Sequence, residues 1–147
     1  MREALDDEHH AWATYDQVIA DFGEVAPFVN IRAAEARHIE ALRVLYRRFG
    51  LPVPENEWLG RAARYPSLQA ASEAGVVAEV ANAGLYDRLL ADPVRPEIAA
   101  VLQRLRQASQ ERHLPAFRRC AERQEAGGGA AADCAPGRPR RWRGGRD

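Results

Sequence analysis

The sequence predicts an all-α protein, a four-helix bundle made of two antiparallel hairpins joined by one long crossover. Three observations predict it. Apolar residues recur at alternating intervals of about three and four through four long segments, the period of a helix with one buried face. Gly23, Gly50, Pro52, Pro93 and Pro96 punctuate those segments where helices stop and restart. The outer two connections are short, whereas the middle one is long enough to travel the length of a bundle.

The first helix runs from Glu3 to Phe22 and stops at Gly23. Its buried stripe is Leu5, Glu8, Trp12, Tyr15, Ile19 and Phe22; His9 and His10 rotate off that stripe and read as surface residues. The second helix runs from about Asn30, an acceptable N-cap, to Phe49, with Gly50 and Pro52 ending it. Its stripe is Ile31, Ala34, Glu35, His38, Leu42, Leu45 and Phe49. Between Gly50 and Pro66 lies the crossover. At roughly 3.3 Å per extended residue it spans a bundle whose helices rise about 1.5 Å per residue. The third helix starts at Ser67, a good N-cap, and continues to about Leu90. Asp92, Pro93 and Pro96 then turn the chain into the fourth. There Pro115 removes a backbone hydrogen bond, so the helix must bend near His113 or end early.

A chain of 147 residues suits one domain on a scale of roughly 100 to 200 residues. The bundle is assigned to residues 1–125. Residues 126–147 are Gly, Ala, Pro and Arg with almost no apolar side chain except Trp142, the composition of a disordered tail. Its "RPRRWRGGR" mixes cations with an aromatic, as some nucleic-acid-binding segments do. A solvated tail is the preferred reading, because the formal net charge of zero offers no reason to expect nucleic acid or an anionic membrane. No run of about 18 apolar residues exists to span a bilayer, and no secretory leader pattern opens the chain, so cytoplasmic is the default location. Lysine is absent, which excludes a Schiff-base lysine. Cys120 and Cys134 form neither a CxxC pair nor a zinc pattern and read as free thiols.

The chemistry lies in what interrupts the apolar stripes. Glu8, Glu35 with His38, Glu79 and His113 all fall on core-facing positions. An unpaired ionised carboxylate in an apolar interior costs several kcal/mol or more, so such groups need compensation, and a bound metal is the simplest source of it. One buried-side Glu is usually a boundary residue reaching water; four segments doing the same is a constellation. Glu35 and His38 share a face one turn apart. The two halves also echo each other. Glu8 with Tyr15 and Asp16 has the spacing of Glu79 with Tyr86 and Asp87, and "RHI" at Arg37 matches "RHL" at Arg112, as in a duplicated hairpin.

These residues resemble the ferritin-like di-iron carboxylate bundles, whose site takes one Glu from each of two helices and a Glu-x-x-His from each of the others. Five of six positions match across Glu3 to about Cys120: Glu8 and Glu79 as single carboxylates, Glu35 and His38 as the first pair, and His113 as the second His. The departure is Gln110, which stands where the second motif has Glu. Glu111 comes one residue late and is therefore turned about 100° away. "PFVNIRAAEARHIEAL" and "SQERHLPAF" are also similar to an uncharacterised bacterial ferritin-like family.

The resemblance implies a non-heme iron protein with Glu8, Glu35, His38, Glu79 and His113 as metal ligands. It would oxidise ferrous iron, or reduce oxygen or peroxide, as a ferroxidase or peroxidase-type oxidoreductase. Manganese suits the same carboxylate and imidazole donors. Two divalent ions carry four positive charges against three glutamates, so Glu111, hydroxide or a substrate anion must supply the fourth, and one strong and one weak metal position are expected. Gln110 still offers an amide oxygen. Tyr15 and Tyr86 are core aromatics that double as hydrogen-bond or radical neighbours of the carboxylates, and Asn82 is either a supporting group or polar filling. No rubredoxin-like Cys quartet is present, so an electron donor must be a separate molecule. Self-association into a homodimer follows by analogy. The rival reading is a bundle whose site has decayed, Gln110 being the first lost ligand, retained as a binding or scaffold module.

Overall fold

The structure, a computed structural model, describes residues 1–125; the proposed tail at 126–147, with Cys134, lies outside the described residues. Among these, the chain is all-helical with no strand: α1 (Arg2–Phe22), α2 (Phe28–Arg48), α3 (Leu68–Ala91), α4 (Pro96–Ala108) and α5 (Leu114–Glu125). A five-residue π-helical turn, Ser109–His113, joins α4 to α5, so together they make the fourth helix of the bundle.

Side-chain pairings give the helix directions. Asp16 pairs with Arg32 and Glu8 with His38, so α1 and α2 are antiparallel. Glu3 pairs with Arg88 and Asp7 with Asn82, which sets α3 antiparallel to α1. Asp87 with Arg106 and Glu79 with Ser109 set the fourth helix antiparallel to α3. Hence α2 and α3 run the same way, and the chain between them must return along the bundle. It does so beside α1: Trp58 donates from Nε1 to Asp6 at 3.0 Å and packs its ring, tilted, against His10, while Arg64 reaches Asp21 further along.

That crossover corrects one expectation. His9 is buried rather than exposed, because the crossover lies over the outer face of α1 that helical periodicity alone assigns to solvent. Two further corrections are local. Helix α2 begins at Phe28, before Asn30, which is exposed and provides no side-chain cap. Cys120 is fully buried and disulfide-bonded, not a free thiol; sulfur pairing depends on through-space approach, which sequence spacing does not report. The Ser67 cap is as expected, its Oγ accepting from the Ala70 N–H at 3.1 Å.

Two apolar clusters form the core. One gathers Tyr15, Val18, Phe28, Ile31, Leu68 and Phe117; the other gathers Leu5, Leu42, Leu45, Tyr86, Leu102 and Leu105. The polar stripe residues lie between the two, at mid-bundle. Phe117 anchors the first cluster, its ring 5.2 Å from those of both Tyr15 and Phe28. Gly75 on α3 lets it seat: a Cβ there would stand 2.8 Å from Phe117 Cδ1. Gly75→Ala improves helix propensity by about 1 kcal/mol, but overpacking a ring that two other aromatics hold in place costs about 1–3 kcal/mol. The expected outcome is a net loss of stability in urea unfolding. A gain would show that the ring has room to shift.

Candidate metal centre

Five polar side chains meet at mid-bundle, one or more from each helix. Glu8, Glu35, Glu79 and His113 are all at most 4 % exposed, and the His38 side chain is 15 % exposed. His38 Nδ1 lies 2.7 Å from Glu35 Oε2 and 3.1 Å from Glu8 Oε2. His113 Nδ1 lies 3.1 Å from Glu35 Oε1 and 3.5 Å from Glu79 Oε1. The imidazole rings stack with centroids 5.6 Å apart. The cluster is thus two carboxylate–imidazole triads, Glu8–Glu35–His38 and Glu35–Glu79–His113, each with ligand atoms within 4.8 Å of one another. Glu35 belongs to both, one oxygen in each.

The two tyrosines cross over. Tyr15 of α1 donates to Glu79 of α3 at 3.1 Å, and Tyr86 of α3 donates to Glu8 of α1 at 2.5 Å. Because α1 and α3 are antiparallel, each tyrosine reaches the carboxylate of the other half rather than its own. The repeat seen in the sequence therefore becomes an approximate twofold relation around the cluster. Asn82 donates to Asp7 at 2.5 Å and forms no hydrogen bond to the cluster among the described residues.

The twofold breaks in the fourth helix, at the π-turn. Pro115 has no N–H, and in a regular α-helix its ring would press on the carbonyl four residues back. The turn ahead of it widens instead, with the Leu114 N–H bonding Ser109 O, five residues back. One extra residue per turn changes which side chain faces inward beside His113. That residue is Ser109, which donates to Glu79 Oε2 at 2.5 Å. The Gln110 side chain is half-buried and forms no hydrogen bond among the described residues, while Glu111 is exposed and accepts from Gln107 at 2.9 Å. Ser109 was not legible as a site residue: only the combination of Pro115 with a polar position four before His113 hints at it. Ser109→Ala is expected to cost about 1–3 kcal/mol, the range for a buried hydrogen bond to a carboxylate. Gln110→Ala should leave the melting temperature nearly unchanged, and the reverse order would place Gln110 rather than Ser109 at the cluster.

Electrostatics follow from burial and crowding. Burial pushes Glu8 well up, and the Glu35 charge beside it pushes further. Burial also opposes the charge on Glu35, but hydrogen bonds from Glu8, His113 and His38 prevail and hold it below the usual carboxylate range. For both imidazoles burial disfavours the proton, yet their glutamate partners outweigh it, raising His38 to about 10 and His113 to about 9. Burial raises Tyr15 and Tyr86 well above their usual range, so both stay hydrogen-bond donors. Near neutral pH the cluster balances carboxylates with imidazolium protons.

Two cavities flank it. One of about 200 Å³ opens between α1 and α3 and is acidic, lined by Asp7, Glu35 and Glu79. Thr14 Oγ1 and Asn82 Oδ1, from residues lining the same cavity, are buried there without hydrogen-bond partners among the described residues. The other, of about 360 Å³, opens between α2 and the π-turn with α5, and reaches His38 and His113.

Fold and site together define an all-α four-helix bundle with a buried carboxylate–imidazole cluster at its centre. No protein-family profile and no curated protein matches the chain. Among solved structures, the fold is similar to the crystal structure of hypothetical protein MJ0754 from Methanococcus jannaschii DSM 2661, with a TM-score of 0.73 and 19 % identity, covering 84 % of this chain and 78 % of that one. The likeness is one of helical architecture. No helix among the described residues is long and apolar enough to cross a membrane.

Proposed function

We propose that the protein is a ferritin-like non-heme iron protein that binds two ions in the Glu8–Glu35–His38 and Glu35–Glu79–His113 triads. The observation that carries this reading is the sharing of Glu35, whose two oxygens face different imidazoles. A carboxylate in that position holds two cations close while offsetting their repulsion. Oxygen and imidazole donors without a thiolate suit iron first and manganese second. When bound, ferrous iron supplies electrons for reducing oxygen or peroxide, which makes ferroxidase or peroxide-reducing chemistry the leading activity.

The chain's own groups have defined tasks in this reading. His38 and His113 bind through Nδ1, the nitrogen turned to the glutamates. Tyr15 and Tyr86 orient Glu79 and Glu8, and Ser109 holds the second oxygen of Glu79. The acidic cavity between α1 and α3 offers cations a route to Glu35 and Glu79. A separate electron donor is needed for turnover, since the described residues contain no thiolate cluster. Gln110 favours the second reading, a decayed site kept as a scaffold, because no fourth carboxylate joins the cluster. Anaerobic titration of metal-free protein with ferrous iron, followed by oxygen or peroxide, separates the two. About two irons per chain with rapid optical change supports the iron reading; one supports an asymmetric centre; none leaves the scaffold.

A further inference from the structure

We propose that the larger cavity, between α2 and the π-turn with α5, is a binding site for a small organic carboxylate. Its lining divides into three zones. At its inner end stand His38 and His113. Each spends Nδ1 on glutamates, and neither Nε2 has a partner among the described residues. A ring nitrogen at the end of a cavity ordinarily finds a hydrogen-bond partner. Here the described residues supply none.

The walls are Ile31, Ala34 and Ala116, short apolar side chains that leave room for a hydrocarbon body but cannot solvate a bare inorganic ion. Around the mouth are Arg37 from α2 and Arg112 and Arg119 from the fourth helix, with Arg123 beyond. Arg37, Arg112 and Arg119 form no ion pair among the described residues, although Arg32, Arg64, Arg88 and Arg106 are each paired with a carboxylate elsewhere. Among the described residues no Asp or Glu lines this cavity, whereas three line the opposite one. The bundle thus presents an acidic approach on one side of the cluster and a basic one on the other. A cavity of this size is within the range of small-molecule sites.

Charge at the cluster agrees. Glu111 faces solvent and Gln110 is neutral, so the described residues contribute three glutamates and no fourth anion to the cluster. A carboxylate that enters past the arginines and lays its apolar body along Ile31 and Ala116 brings its charge to guanidinium groups at the mouth and to the Nε2 side of the imidazoles at the inner end. Guanidinium and imidazole donors to a carboxylate are among the stronger hydrogen bonds. This inference does not require iron: the cavity, its apolar walls and the arginines at its mouth belong to the chain itself.

The test is made on metal-free protein with hexanoate as probe, and with hexanol, acetate and inorganic phosphate for comparison. Calorimetry and the shifts of ¹⁵N-labelled imidazole and guanidinium groups report binding. Hexanoate is expected to bind and to shift the His38 and His113 Nε2 signals, hexanol not to bind, and acetate to bind more weakly for lack of wall contact. Arg37→Gln with Arg112→Gln, both exposed and so compatible with folding, should weaken hexanoate by about tenfold or more. Absence of hexanoate binding, binding undiminished in the double variant, or phosphate binding more tightly than hexanoate would each overturn the proposal. An iron-binding protein that ignores hexanoate sinks this inference alone, and a hexanoate-binding protein without iron sinks only the iron reading.

Discussion

Glu35→Gln is expected to abolish iron binding, whereas Glu8→Gln should remove only one of two ions. The difference follows from position. Glu8 belongs to one triad, and Glu35 gives an oxygen to each. Losing a shared charged ligand leaves each ion with two protein ligands, and the affinity should fall by more than the roughly 10–100-fold that losing a supporting residue costs. Anaerobic ferrous titration of both variants reads the result directly, and wild-type iron content in Glu35→Gln would dispose of the shared-ligand arrangement.

The same variant changes an expectation about stability. Deleting an unneeded buried polar group ordinarily leaves stability unchanged or raises it. The structure pairs these groups with one another, so Glu35→Gln leaves two imidazoliums without their main partner. Breaking a buried pair in this way costs about 3–5 kcal/mol. Metal-free Glu35→Gln protein is therefore expected to melt lower than wild type whether or not the site is functional. Stability alone no longer separates a live site from a decayed one; metal binding does.

The second large effect is in pH. With His38 raised to about 10 and His113 to about 9, both Nδ1 positions carry protons at neutral pH, and each must be released before a metal can take its place. Affinity at the Glu35–Glu79–His113 triad should rise by about tenfold per pH unit from 7 towards 9, the slope of one displaced proton, and at least as steeply at the other triad, where Glu8 is also raised. Metal-free stability runs the other way. Folded-state values above the unfolded value of about 6.5 mean that the imidazoles stabilise fully below that pH, and that this contribution is lost as pH rises through 9 and 10. On the acid side the depressed Glu35 contributes above its unfolded value and is lost as pH falls below it. Glu8 is opposite in sign, its burial cost being felt once pH rises above its ordinary value. Between pH 7 and 9 the melting temperature of metal-free protein should fall while the gap between iron-loaded and metal-free protein widens. Parallel curves would mean that the added iron does not displace those protons.

Much of the architecture was legible in the residues. Apolar spacing and the stops at Gly23, Gly50 and Pro96 define four helices because helix periodicity and chain punctuation are local properties. The long link between Gly50 and Pro66 implied parallel α2 and α3, since its length exceeds what a hairpin needs. Glu8, Glu35, His38, Glu79 and His113 stood out for a similarly local reason: each is a polar group on an apolar face, and all five meet at mid-bundle.

What the sequence by itself determined, then, is the helix content, the connectivity and the identity of the polar groups that must find one another inside. Tertiary structure alone decided how they pair. The cross-bundle reach of Tyr15 to Glu79 and Tyr86 to Glu8 depends on α1 and α3 lying antiparallel. The burial of His9 depends on a crossover that no periodicity in α1 can foretell. The choice of Ser109 over Gln110 depends on a π-turn that relieves Pro115, and one extra residue in one turn redirects every side chain within it. The arginine-rimmed cavity joins residues some seventy-five positions apart, Arg37 and Arg112, which become neighbours only when α2 and the fourth helix close on the same pair of imidazoles.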